Sequence, residues 1–377
     1  MGASPVQPQD CGSHLETELE EVPVAIVGAF DIHRGQLTYK WTDTLTGEVS
    51  RGRVCPADRE HLRVWLGQFK RRRRVEFAME GCTGWRYVAE EVARAGGIAH
   101  VAEPADVAAL RGKKRRAKTD RTDTDHLLDL LISGRLPESW IPPEAVLEAR
   151  AKVRLYKDLS EERTRWIQRT HASLFHLGVP AIAGGLSSVA ARAAVETAEL
   201  SPAVRQAVQV GLEVIDTRSA QLKLLRSELV GISRRQPACA ALARDLFGVG
   251  PLTAVFIWAE MGDTRRFSTS DDAVRYAGLD ITVYSSDDHR AAGHLARQGP
   301  GALRWALYEA AKNASRQASP DHAYYAQARA RLGAHRATLS VARKLARKSH
   351  HILRAAGDDV LAGWDTTTVT TASTRAA

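Results

Sequence analysis

Residues 111–134 read RGKKRRAKTDRTDTDHLLDLLISG: a basic arm, then Asp120, Asp123 and Asp125, then an apolar run. Asp120 and Asp123 are three apart at the start of a helical pattern, a spacing that places both on one helix face. Their like charges repel, and the positive end of a helix offsets part of that cost. Taken alone, the pair reads first as an N-cap followed by a solvated acidic turn, and only second as a metal-holding pair. Two further acids sit where charge is out of place. Asp31 ends the apolar run VPVAIVGAF, and Glu80 ends RVEFAM, ahead of Gly81 and Gly84. Neighbouring parallel strands bring their carboxyl ends to one edge, where open α/β sheets bind ligands. Asp31, Glu80, Asp120 and Asp123 are then four oxygen donors converging on one point. Such a set suits Mg²⁺, and two such ions about 3.5–4 Å apart catalyse phosphodiester chemistry. The arm residues Lys113, Lys114, Arg115, Arg116 and Lys118 would grip the nucleic-acid backbone on which the metals act. The run KRRRR at 70–74 allows the same reading, or that of a solvated face.

These residues need a scaffold. The short β-branched run at 22–32 predicts a buried strand, followed by two more in QLTYKWTD and EVSRGRV. A helix over ADREHLRVWLGQF, a strand over 74–80, a helix over GWRYVAEEVARAG and a strand over GIAHVAE complete a mixed sheet with helices on its faces. From about 145 the texture becomes long, charged and helical up to Gly178 and Pro180, and a second long helical stretch runs from about Pro202 to Val230. The pair predicts an antiparallel hairpin or coiled coil, with a poor heptad register at Ser160 and Arg163. From 240 the pattern is globular again, beginning with the Gly-rich turn of LFGVGPLTA at a helix start. The expected organisation is a disordered tail over 1–21, an α/β catalytic domain over 22–144, a helical linker over 145–235, a mainly α C-terminal domain over 236–360 and a disordered tail over 361–377.

The chain has 377 residues, 44% of them hydrophobic, and a formal net charge of +9. It is long enough for two or three domains, and its positive charge favours an anionic partner, most commonly nucleic acid. Cys11, Cys55, Cys82 and Cys239 are scattered with no CxxC pair, which argues against a zinc knuckle and fits a reducing cytoplasm. The polar first residues predict no signal peptide, and no long apolar run predicts a membrane span.

AFDIHR, FAMEGCTG and KTDRTDTDHL, in that order, resemble the DEDD transposases of bridge-RNA-guided insertion sequences, a family that includes site-specific DNA invertases. LFGVGPLTAVFIWAEMGDTRRF, then YAGLDITVYSSDD, then RQGPGALR, and the closing HRATLSVARKLARKSHHIL are similar to successive stretches of the same family. The likeness spans roughly 22 to 355. It implies an RNase H-like, RuvC-type catalytic domain, a helical linker domain and a C-terminal transposase domain. It assigns Asp31, Glu80, Asp120 and Asp123 to the family's four acids. Ser286 falls at its serine nucleophile, with Ser285 as neighbour and Asp287 where the family commonly has Gly. It implies Mg²⁺ as cofactor, donor and target double-stranded DNA, a structured non-coding guide RNA, and a homo-oligomer (dimer or tetramer) that holds two duplexes. His289 and His294 are candidate bases for the serine, while the resemblance points instead to metal activation. Arg297, Gln298 and Arg304 follow in a Gly-rich loop and helix as candidate phosphate clamps.

The expected activity is that of a DNA transposase that cuts and rejoins strands. A site-specific invertase of the same fold is the alternative within the class. A metal-dependent junction-resolving nuclease would need the four acids and no serine, and a nucleic-acid-binding remnant would need neither.

Overall fold

A computed structural model describes residues 26–69, 74–111, 120–180, 182, 185–282, 285–286, 289–290, 294–296 and 298–361, with backbone alone for 120, 121, 282, 285, 286, 289, 290 and 294. The expected tail over 1–21, and the expected tail over 361–377 apart from Leu361, lie outside these residues. The chain divides between Ile141 and Pro142 into two compact units.

The first unit runs β1 (Ile26–Ile32), β2 (Leu37–Asp43), β3 (Val49–Val54), α1 (Arg59–Leu66), β4 (Val75–Glu80), α2 (Trp85–Arg94), β5 (Ile98–Ala102), α3 (Pro104–Leu110), α4 (Asp120–Ile132) and β6 (Glu138–Ser139). The six strands form one mixed sheet in the order β3-β2-β1-β4-β5-β6. β1, β4 and β5 are parallel, and β2, β3 and β6 run against their neighbours. The central strands are apolar on both faces because both are covered. On one face Ile26, Phe30, Phe77 and Met79 pack with Leu62 and Leu66 of α1 and Val88 and Val92 of α2. On the other, Val27, Ala29, Ala78 and Ala102 pack with Val107 of α3 and Leu127, Leu128 and Leu130 of α4. Small residues on that second face let α4 approach closely. Gly28 has a related role on the first face, where a Cβ would stand 2.2 Å from the Phe77 ring.

The second unit holds α5 (Glu144–His176), α6 (Val189–Thr197), α7 (Pro202–Arg235), α8 (Pro237–Asp245), α9 (Pro251–Met261), α10 (Ser270–Tyr276), the short strands β7 (Ile281–Thr282), β8 (Ser285–Ser286), β9 (His289–Arg290) and β10 (His294–Leu295), then α11 (Gly301–Ala311), α12 (His322–Leu332) and α13 (Ala334–Ala355). α5 and α7 lie antiparallel: Lys152 pairs with Glu228 (2.5 Å), Glu162 with Arg218 (2.8 Å), and Thr170 lies beside Gly211. The expected two long helices are therefore present, with the short α6 between them that the sequence reading did not include. α9 is the core of this unit, buried through Trp258. Its fully buried Glu260 is paired with Arg154 of α5 at 2.8 Å, while Arg150 donates to the carbonyls of Ala259 and Glu260. These charge-assisted bonds satisfy a carboxylate, and carbonyls at a helix end, that would otherwise be costly to bury. The long helices pack into the same unit as the C-terminal helices.

Candidate active site

The sheet's register brings the two strand-end acids together. Phe30 stands opposite Met79 in the parallel β1–β4 pair, and the next residue on each strand is Asp31 and Glu80. Side chains alternate along a strand, so Asp31 lies on the face of Val27 and Ala29, and Glu80 on the face of Ala78. That is the face α4 covers. α4 begins at Asp120, so Asp123 lies in its first turn.

Asp123 is tied to this edge. Arg111, just past the end of α3, donates from Nη1 to Asp123 Oδ1 at 2.5 Å, and its Nη2 lies 3.9 Å from Glu80 Oε1. One guanidinium therefore faces an acid of β4 and an acid of α4. Asp31 Oδ2 lies 3.0 Å from His33 Nε2. The structure thus gathers Glu80 and Asp123 about a common cation, with Asp31 one strand over. The backbone of Asp120 lies one helical turn before Asp123.

Asp125 shows how finely helix geometry sorts neighbours. Two residues beyond Asp123, it points toward β2 and β3, where Lys40 Nζ is 2.6 Å and Arg51 Nη2 2.9 Å away. Burial would raise its carboxyl, but these two cations outweigh that and hold it below the usual carboxylate range. Asp125 pins α4 to the sheet.

Whether this edge suits Mg²⁺ can be judged from its donors. Among the described residues no group of three or more His, Cys, Asp and Glu side chains is arranged to hold a metal ion, and the Asp120 side chain lies outside them. The donor set is carboxylate oxygen throughout, as a hard cation requires. The Arg111 guanidinium already lies against two of these acids, Glu80 and Asp123. Arg111 and His33 were not among the expected site residues. Arg111 carried a signal as the first member of the basic arm, but the arm's charge was assigned to phosphate. Lys113, Lys114, Arg115, Arg116 and Lys118 lie outside the described residues, as does Arg297.

The expected nucleophile sits in the second unit, on a β-hairpin inserted between α10 and α11. Ser286 of β8 registers opposite His289 of β9, and Ser285 opposite Arg290. β7 pairs with β10, His294 opposite Thr282. The base of the insertion is firmly held. Ala277 and Leu279 are fully buried, Arg304 Nη1 donates to Ala277 O at 3.3 Å, and Arg343 Nε donates to Leu279 O at 2.6 Å. Ala296 N donates back to Asp280 O at 3.1 Å. Gly299 closes the loop with φ +95, and a Cβ there would stand 2.0 Å from Tyr276 O, so only glycine fits. Arg304, an expected phosphate clamp, is thus also a bolt on the hairpin's base. Gln298 is exposed at the same turn.

A transposase model of the IS110 DEDD type matches residues 29–177, the stretch that holds the acidic edge. The model of the transposase IS116/IS110/IS902 family matches 240–326, the stretch that holds the serine hairpin. The chain belongs to the DEDD transposase family. Among curated proteins none matches it. The transposase acts on DNA, and both matched stretches contain the residues expected to do chemistry. No helix among the described residues is long and apolar enough to cross a membrane.

Proposed function

We propose that this transposase cuts and rejoins DNA strands with Asp31, Glu80, Asp120 and Asp123 as metal-holding acids and Ser286 as nucleophile. The observation that supports the reading is that Arg111 lies against both Asp123 and Glu80, with Asp31 the next residue after Phe30 in the register that puts Glu80 after Met79. The strand order of the first unit, with helices on both faces, supports an RNase H-like, RuvC-type domain. The second unit is read as a helical linker over 145–235 followed by a transposase domain over 236–360.

Mg²⁺ held by these carboxylates would neutralise phosphate charge and favour attack by an oxygen nucleophile. Asp31 and Glu80 are offered from rigid strand ends and Asp123 from a helix pinned by Asp125, so the acids are positioned before substrate arrives. Ser286 Oγ attacks the scissile phosphorus, forming an Oγ–P bond as the bond from phosphorus to the leaving deoxyribose oxygen breaks. The proton lost by Oγ ends on that leaving hydroxyl. The phosphoserine link retains the energy of the broken diester for rejoining, which attack by water would discard. Arg297 and the 113–118 arm are read as phosphate contacts. A non-coding guide RNA and a dimer or tetramer holding two duplexes complete the proposal, and both rest on the family resemblance.

The test is to trap the protein on nicked suicide DNA with Mg²⁺ and look for a covalent protein–DNA adduct. The adduct is expected in the unmutated protein and in Ser285→Ala, and is lost in Ser286→Ala. Cleavage without an adduct would replace this reading with a metal-only nuclease.

A further inference from the structure

The serine hairpin leads directly into α11, and α11 forms one wall of a groove whose other wall is α5. The groove encloses about 460 Å³ and is lined by Lys157, Ser160, Glu161, Thr164, Arg165 and Trp305. Trp305 packs against Phe256, ring centroids 5.1 Å apart, and Phe256 in turn meets Tyr156. The indole is therefore held by the core while part of it remains accessible in the groove. Lys157 Cε lies 3.8 Å from where a Gly301 Cβ would stand, so the ammonium stem runs beside the first turn of α11. Lys157 pairs with Glu161 one turn along α5, and Arg165 is exposed one turn further on.

This combination is selective about what it can hold. A single aromatic surface flanked by two cations, two hydroxyls and a carboxylate does not offer the continuous apolar strip that an amphipathic helix needs. It matches a nucleotide: a base stacked on an indole, a phosphate on Lys or Arg, and hydroxyl and carboxylate groups for the base edge or sugar. Bases inside a duplex cannot reach such a surface, so the nucleotide must be unpaired or turned out of the stack. Strand exchange creates such nucleotides, because a strand must leave one partner before it pairs with another.

We infer that the α5–α11 groove holds an unpaired nucleotide of the exchanging DNA strand, its base stacked on Trp305 and its phosphate on Arg165 and Lys157. The inference rests on the strand-exchange reading above and adds a site to it.

The experiment uses the full chain and DNA duplexes carrying 2-aminopurine at one unpaired position, with the fully paired duplex and an RNA of the same sequence as controls. Stacking on Trp305 is expected to quench the unpaired base and to strengthen binding over the paired duplex by roughly 5- to 100-fold. Trp305→Leu should abolish both effects, and Trp305→Phe should keep part of each. Should Trp305→Leu fail to fold for want of the Phe256 contact, Ser160→Phe, which fills the groove and leaves Trp305 in place, should give the same loss. Arg165→Ala should lower the slope of log affinity against log salt by about one. Undiminished quenching in Trp305→Leu or Ser160→Phe, or equal affinity for the paired duplex, overturns the inference. Quenching seen with RNA alone overturns the assignment to DNA. An unmutated protein that binds the paired duplex but shows no quenching defeats the groove and leaves the strand-exchange reading intact. Failure to bind any DNA defeats that reading itself.

Discussion

The acidic edge and the serine hairpin position their residues by different means. At the acidic edge each side chain hangs on a regular element: Asp31 and Glu80 follow from the parallel register of β1 and β4, and Asp123 from one turn of α4. The hairpin strands are two residues long and cannot hold themselves in place. Their position depends on the base, where guanidinium groups of α11 and α13 grip the carbonyls of Ala277 and Leu279. Strand ends place a side chain through the sheet's own ladder, whereas the short hairpin strands are placed through the side chains that hold its base.

The sharpest way to break the comparison is at the acids. Asp31→Asn, Glu80→Gln and Asp123→Asn should each reduce recombination by at least about a hundredfold, because each removes charge from the proposed metal site. Asp125→Asn should stay within a few fold in the same assay, since its partners are Lys40 and Arg51. Equal losses at Asp123 and Asp125 would show that the helix, not the acidic edge, is what matters.

Next in size is Gly299→Ala. The new Cβ would meet Tyr276 O in a backbone region that L residues rarely adopt, at a cost of about 2 kcal/mol or more. Thermal melting should show the loss, and adduct formation on suicide DNA should fall while divalent-metal binding by the acids is retained. A variant that melts normally would show that the base of the hairpin yields easily.

Arg343→Ala tests the bolt itself. Removing its bond to the Leu279 carbonyl should cost about 1–3 kcal/mol. Hydrogen exchange should rise across 279–296 and remain unchanged in β1 and β4. A uniform rise over both units would mean that Arg343 supports the whole fold.

The smallest expected effect concerns a carboxylate with a purely structural role. Glu91 of α2 is buried and receives bonds from Arg63, Arg59 and Arg94. Hydrogen bonds from Arg63 chiefly, opposed by burial, hold its carboxyl down at about 2, against 4.5 for the free group. Because the folded value is the lower one, this stabilisation is complete above about pH 4.5 and is lost as pH falls toward 2. The arginines are about half exposed, from 45% to 58%, so screening limits the effect to about 1–2 kcal/mol. Urea titrations between pH 5 and 3 should show a shallower fall for Glu91→Gln than for the unmutated chain. Parallel curves would place the acid sensitivity elsewhere.

Much of the first unit was legible from residue order. The strands over 37–43, 49–54, 75–80 and 98–102 and the helices over 59–66 and 85–94 follow from alternation, apolar runs and Gly stops. The short α3 and β6 were not read, because seven and two residues are too few to establish a period. Asp31 and Glu80 stood out because each places a charge at the end of an apolar strand. What pattern could not reveal was Arg111. Its neighbours are cations of the same kind, and only the packing of α3 against α4 turns this one onto Glu80 and Asp123. The same holds for Arg304, which reads as a phosphate ligand by sequence and donates to Ala277 O in the fold.

Amino-acid order by itself determined the elements, their apolar faces and the chemistry of the residues at their ends, because those depend on neighbours within a turn or two of chain. Tertiary structure alone decided which cation meets which acid, that Asp125 locks a helix while Asp123 faces the acidic edge, and that Trp305 lies across a groove from Lys157 and Arg165. These pairings join residues from 12 to about 150 positions apart, and chain connectivity places no constraint on a side chain's partner at such separations until the cores beneath them have packed.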